Sequence, residues 1–152
     1  INMLANEYLI IIFVIFFLIG AISFLKPSKK MKALSDIRLL ASKEGFKIGS
    51  TPQLRKKFKN WDARVAIYQI KNTSTYEDLH YLKRDGALEL YSPMSLKYDK
   101  QFPVIQDKIL SLPASILEII FFKSNIAIVW DEMLGPEELL RMKTAILKIC
   151  NK

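Results

Sequence analysis

The sequence contains one cysteine, Cys150, and one histidine, His80. A single cysteine excludes a disulfide within the chain and a multi-cysteine metal site. A single histidine excludes the zinc motifs that need two. The five glycines are scattered, so they form neither a phosphate-cradling loop nor a dinucleotide-binding fingerprint. The sequence therefore predicts no cofactor, no metal and no catalytic constellation, and we expect a protein that is not an enzyme.

What the sequence has instead is one long apolar run from Leu4 to Leu25, with a single charge at Glu7. These 22 residues form a helix of ~33 Å, enough for a hydrocarbon core of ~30 Å. We predict a transmembrane anchor over residues 1–26 and a domain over residues 27–152. The alternatives are a cleaved signal peptide, which is usually shorter and begins with basic residues, or a buried core helix. The aromatic residues of the run are Tyr8, Phe13, Phe16, Phe17 and Phe24.

Basic residues follow the apolar run at once. They are Lys26, Lys29, Lys30 and Lys32. Because Lys and Arg next to a span stay in the cytoplasm, this flank predicts an outside N-terminus and a cytoplasmic domain. Residues 26–71 hold thirteen Lys/Arg and three Asp/Glu, a net charge of +10, whereas residues 72–152 hold ten and eleven, a net charge of −1.

A second basic cluster lies further along the chain, at Arg55, Lys56, Lys57 and Lys59. Anionic headgroups attract such residues by about 1 kcal/mol each near a membrane surface. We therefore expect both clusters to contact anionic lipid, the alternative being a merely solubilising surface.

The pattern of the remaining residues predicts an α+β domain with a mainly antiparallel sheet and about three packing helices. Asp85-Gly86 predicts a two-residue hairpin turn that pairs Tyr81 with Leu90. Helices are expected at 30–44, from Pro52, from Pro103 and from Pro136, and strands at 46–48, 64–71, 78–91, 116–122 and 126–132.

The outer face of the first hairpin carries His80, Glu89 and Tyr91. These three side chains could form an acid–base or ligand site, but a solvent-exposed histidine is the preferred interpretation. Glu118 is isolated in sequence, and Asp131 and Glu132 point to opposite sides of a strand end. None of these acids therefore predicts a shared proton or metal.

The second hairpin is apolar on both faces, which indicates burial on both sides. The helices of the chain can cover one face, and a partner protein or the membrane surface can cover the rest. Leu54, Phe58 and Trp61 form a helical stripe that either lies at a membrane interface or packs on the core, the second being preferred. The candidate partner contacts are Leu54, Phe58, Trp61, Ile120, Phe122 and Val129.

These features predict a non-catalytic single-pass membrane protein. Its expected role is that of an accessory or assembly subunit of a larger membrane complex, acting through protein–protein contacts. The alternatives are a membrane-tethered enzyme or ligand-binding module using His80, Glu89 and Tyr91, and a tethered nucleic-acid-binding domain, in which the basic residues contact phosphates and Phe58, Trp61 and Tyr68 stack on bases.

Overall fold

The computed structural model describes residues 2–25 and 28–151, so the predicted basic residue Lys26 and the helix break at Pro27 lie outside the described residues. The chain divides into two compact units, Ile1–Lys32 and Ala33–Lys152. The α-helices of the described residues are α1 (Asn2–Leu25), α2 (Lys29–Lys43), α3 (Pro52–Lys57), α4 (Phe102–Leu110) and α5 (Pro136–Cys150). The strands are β1 (Lys47–Ile48), β2 (Ala66–Lys71), β3 (Leu79–Arg84), β4 (Ala87–Ser92), β5 (Glu118–Phe121) and β6 (Asn125–Trp130). Short 3-10 helices cover Met94–Tyr98 and Glu132–Leu134.

α1 contains the whole apolar run as one helix. It has no proline, and its single glycine, Gly20, costs a helix only about 1 kcal/mol relative to alanine. From Met3 to Leu25 it is long and apolar enough to cross a membrane, and none of it is buried inside the chain. The alternative of a buried core helix is therefore wrong.

The six strands form one antiparallel sheet in the order β1-β2-β6-β5-β3-β4, which confirms the predicted α+β class with a mainly antiparallel sheet. The β3–β4 hairpin has the predicted register, with Tyr81 opposite Leu90. Its turn residues Asp85 and Gly86 have φ angles of 50° and 84°. Two successive positive φ angles are typical of the turn whose twist matches a hairpin.

One face of the sheet packs against α2, α4 and α5. Ile37 and Ala41 of α2 lie in this core, as the 30–44 pattern predicts. α5 has an apolar stripe whose four residues are buried: Leu139, Met142, Ile146 and Ile149. Pro136 stands in the first turn of α5, where its missing N–H has no intrahelical partner to lose.

The other face of the sheet is covered by residues 51–65, referred to below as the cover segment. Phe58 packs there on Ile67 of β2, Ile120 of β5 and Val129 of β6. The two central strands are thus buried on both sides, as predicted, but much of the second face is covered by the chain itself. The helix of this segment ends at Lys57, and Phe58 is already extended at φ −86° and ψ 138°. The predicted helical stripe through Phe58 and Trp61 is therefore wrong, although both side chains pack on the same cluster.

Candidate functional site

The cover segment begins with a capped helical turn. The Thr51 hydroxyl accepts a hydrogen bond from the backbone N–H of Leu54 at 3.2 Å, and Pro52 occupies the first helical position. A threonine cap and a proline in the first turn are common at the start of a helix, and the expected helix start at Pro52 is confirmed. Only six residues are helical, because the chain then turns to meet a buried carboxylate of β5.

That carboxylate is Glu118, whose side chain is completely buried. It accepts hydrogen bonds from the backbone N–H of Lys59 at 2.8 and 3.0 Å and from that of Asn60 at 2.6 Å. The Asn60 side chain in turn donates to the carbonyl oxygens of Lys83 and Leu117, at 3.2 and 2.9 Å. Because a buried charge is tolerated only when it is paired and hydrogen-bonded, these contacts fasten the cover segment to the sheet.

His80 is the third partner of this carboxylate, through a hydrogen bond between its Nε2 and Oε2 of Glu118. Only 9% of the residue is exposed, so the expectation of a solvent-exposed histidine is wrong. The ring of Tyr91 lies 4.8 Å from the His80 ring. Glu89 is exposed on β4, and the carboxylate that His80 contacts comes from the strand on the other side of β3.

A bulge explains part of this difference. The β3–β4 register shifts between His80 and Tyr81, so that His80 stands opposite Ser92. On its other side β3 pairs with β5, which sets Leu82 opposite Glu118. The sequence shows the hairpin, but the pairing of β3 with a strand more than thirty residues away is not visible in it.

Cations of the cover segment lie over aromatic rings of the same surface. Arg55 is 5.4 Å from the Trp61 ring, Lys57 is 4.9 Å from the Phe122 ring and Lys59 is 5.7 Å from the Tyr91 ring. At these distances a cation is attracted by the negative face of the ring. We call this surface the basic–aromatic face. Its members are Arg55, Lys56, Lys57, Lys59, Trp61, Tyr91 and Phe122.

A shallow depression of about 340 Å³ lies on this face. Lys57, Lys59, His80 and Ser92 are among its lining residues, and so is the acidic Asp78. The ammonium groups suit an anionic ligand group. Glu118 accepts hydrogen bonds from two backbone amides and contacts Nε2 of His80, so the pair connects the cover segment to the sheet beneath the depression.

A second buried carboxylate, Glu132, connects α2 to the sheet. Arg38 contacts it through two hydrogen bonds, of 2.8 and 2.9 Å, and the Tyr68 hydroxyl donates to it at 2.6 Å. Burial acts to raise the pKa of Glu132, but the hydrogen bonds from Arg38 and Tyr68 hold it below its ordinary value. Burial and the contact with Glu132 raise the pKa of Tyr68, so its hydroxyl remains a donor.

The neighbouring Asp131 has a separate role. Its side chain accepts a hydrogen bond at 2.9 Å from the backbone N–H of Met133 and so caps a short 3-10 helix. Both acids lie beyond the end of β6 at Trp130, so the predicted strand over 126–132 is two residues too long, and the two side chains have different partners. The bidentate partner of Glu132, Arg38, lies 94 residues away, and no local pattern indicates it.

The structure separates the predicted contact residues into two groups. Phe58, Ile120 and Val129 are at most 6% exposed and lie between the cover segment and the sheet. The others are partly exposed: Leu54, Trp61 and Phe122. Of the described basic residues that are predicted to contact lipid, Arg55 is half-buried. The others are exposed: Lys29, Lys30, Lys32, Lys56, Lys57 and Lys59.

Within the part of the chain that the structure describes, no group of three or more His, Cys, Asp or Glu side chains could hold a metal ion. The chain matches no protein-family model, no curated protein and no solved structure. Two surfaces of the chain bear on its function, the exposed apolar helix α1 and the basic–aromatic face.

Proposed function

We propose that this is a single-pass membrane protein that acts as an accessory subunit of a larger membrane complex, and that α1 both anchors it and contacts a transmembrane helix of a partner subunit. The observation that carries the proposal is the placement of the phenylalanines. Phe13, Phe16, Phe17 and Phe24 follow spacings of three, four, seven and eleven residues, which fall on one face of a helix. Between 71% and 93% of each is exposed.

Gly20 lies in the middle of this aromatic face. Nothing lies within 4 Å of the position that a Cβ would occupy there. Phe17, Ala21 and Phe24 line an apolar notch together with Gly20. Because lipid tails are as apolar as the helices, helices associate in a membrane through close packing, and small residues permit that approach. A notch between bulky rings suits the side-chain ridge of another helix.

The opposite face of α1 has a different composition. It carries branched aliphatic side chains over most of its length, with one aromatic ring, Tyr8, near the N-terminal end; the branched side chains are Ile11, Ile15, Leu18 and Ile22. Such side chains suit contact with lipid tails. The difference between the two faces supports a helix with one partner side and one lipid side.

In this proposal the N-terminus is outside and the domain is in the cytoplasm. The exposed lysines that follow α1, namely Lys29, Lys30 and Lys32, support this orientation because basic flanks resist translocation. A cysteine introduced at exposed Lys100 should remain unlabelled by an impermeant thiol reagent in intact cells. Labelling of this cysteine in intact cells would contradict the proposed orientation, because it would place the domain outside the cell.

The accessory role is tested by extraction in mild detergents, followed by sizing and mass spectrometry. We expect the chain to elute with a second protein, in a species larger than one 17.6 kDa chain. Phe17→Ala with Phe24→Ala should release the partner, because it removes both rings beside the notch. The matched control, Leu18→Ala with Ile22→Ala, truncates the opposite face and should retain it.

Two results would contradict the proposal. One is a lone 17.6 kDa chain, or an assembly of this chain only, in several detergents. The other is equal loss of the partner in both double variants, which would show that truncation of α1 in general, rather than loss of the aromatic face, weakens the complex.

A further inference from the structure

We propose that the basic–aromatic face binds the anionic phospholipid surface of the membrane that holds α1. This inference rests on the anchoring part of the proposed function and not on the partner subunit. Its occupant is a bilayer surface rather than a protein, because the face combines clustered positive charge with half-exposed aromatic rings, the two properties of protein surfaces at the headgroup level.

The charge of this face is not neutralised by neighbouring acids. Among the described carboxylates of this region, Asp62 pairs with Arg64 at 3.0 Å, and Glu118 is buried and accepts backbone N–H groups. Glu89 is exposed on the same face of the sheet and forms no ion pair with these cations within the described residues. Asp78 lines the depression and is the one carboxylate among its lining residues. Four cations within five positions therefore outnumber the exposed acids Asp78 and Glu89 on this side of the sheet, and an anionic surface is the complementary partner.

The aromatic rings share the surface with the cations. Lys57 and Lys59 lie over the rings of Phe122 and Tyr91, and Arg55 lies over that of Trp61. Amphipathic rings are enriched where a protein meets the membrane–water interface. A contact that brings the ammonium groups to lipid phosphates thus also brings these rings to the same depth.

The face is held in place before any ligand binds. Hydrogen bonds from the backbone of Lys59 and Asn60 to Glu118 fasten the cover segment, and Phe58 is buried beneath it. The four cations are therefore carried on an ordered turn rather than on a free tail. A flexible basic segment loses conformational entropy when it binds, and this loss weakens binding. The loss is smaller for cations on an ordered turn.

The two tryptophans make this proposal measurable. Trp61 lies on the face, whereas Trp130 is completely buried in the core of the domain. The full-length chain is placed in nanodiscs whose lipids carry brominated acyl chains, which quench tryptophan only at short range. We expect clear quenching in discs with phosphatidylglycerol and weak quenching in discs of phosphatidylcholine alone. Salt at about 1 M, where the Debye length is near 3 Å, should reverse much of the difference.

The charge requirement is tested with two variants of equal composition. In the first, Arg55, Lys56, Lys57 and Lys59 are replaced by Gln, and quenching in anionic discs should fall to the level in neutral discs. In the control, exposed cations elsewhere in the domain are replaced by Gln, and quenching should persist. The control residues are Arg84, Lys97, Lys100 and Lys148. Unchanged emission from buried Trp130 verifies that both variants fold.

Equal quenching in anionic and neutral discs, or equal loss in both variants, would overturn the proposal. A third contradicting result has two parts: Trp61 is not quenched by lipid, and the variant with the four cations replaced loses a co-purifying protein. The face would then bind that protein instead of lipid. The paired Phe17→Ala and Phe24→Ala change should leave the quenching intact. A failure of lipid docking is therefore distinguishable from a failure of the accessory role.

Discussion

Glu132 shows what a single buried side chain contributes and why its partners are invisible in sequence. The acid follows a strand, and its position at a strand end is predictable from local pattern. Arg38 and Tyr68, which satisfy it, lie 94 and 64 residues earlier. They meet Glu132 only because α2 packs on the same face of the sheet that Tyr68 occupies. A pattern read along the chain cannot supply such a contact.

This contact makes stability dependent on acid. Since the folded-state pKa of Glu132 is below its ordinary value of 4.5, its contribution is complete above that pH and is lost as the pH falls through the folded value. Glu132→Gln should lower the free energy of unfolding by about 2 kcal/mol at neutral pH. It should cost much less in acid. Urea denaturation at both pH values measures this.

The control for that experiment is Glu89→Gln, which changes an exposed carboxylate on β4. It should shift the stability by less than about 0.5 kcal/mol. If Glu132→Gln were equally costly at neutral and acid pH, the loss would come from packing and not from the charged hydrogen bonds.

At the scale of elements, the sequence is most informative where structure is local. The Asp85-Gly86 turn sets the β3–β4 register from Arg84 back to Tyr81, as far as the bulge before His80. The apolar residues on both sides of β5 and β6 require a cover on each face, and both covers exist. The identity of the second cover is not predictable, because a segment with four cations in five positions resembles solvent-exposed surface. Its helix is also shorter than predicted, since Glu118 binds the amides of Lys59 and Asn60.

Removal of the Glu118 carboxylate should therefore loosen the cover segment. Glu118→Ala deprives the amides of Lys59 and Asn60 of their acceptor and leaves His80 buried without a partner. We expect a loss of about 3 kcal/mol in stability and at least tenfold faster hydrogen exchange at those two amides. Exchange followed by mass spectrometry or NMR measures the effect.

Glu89→Ala serves as the comparison, because it truncates an exposed acid on the same face of the sheet. Exchange in the cover segment should be unchanged in this variant. Unaltered protection of Lys59 and Asn60 in Glu118→Ala would show that apolar packing around Phe58 holds the segment without the carboxylate.

At the scale of the whole molecule, composition indicates more than motifs do. The apolar run and the basic excess of residues 26–71 are plain in the sequence, and the α+β class follows from the order of the elements. The strand order could not be derived, because antiparallel strands distant in sequence have several possible neighbours. The clamp between α2 and the sheet through Arg38 is likewise visible only in three dimensions.

The whole-molecule proposal joins these parts. In it, α1 is proposed as the anchor and partner-binding helix and the basic–aromatic face is proposed to contact lipid, while Glu132 holds α2 on the sheet of the domain. Each part can be tested separately, because different variants change the aromatic face of α1, the Glu132 clamp and the four cations. The proposed partner contact and the proposed lipid contact both depend on α1 remaining in the protein and in the bilayer.

Alkaline washing of membranes from cells that express the chain tests that dependence most directly. High pH strips peripheral proteins, and a helix inserted in lipid stays in the pellet. The account predicts that the washed pellet retains the chain and that mass spectrometry of this material detects peptides of α1, residues Asn2–Leu25. Recovery of the chain in the wash, or of a mature chain that lacks α1, would contradict it.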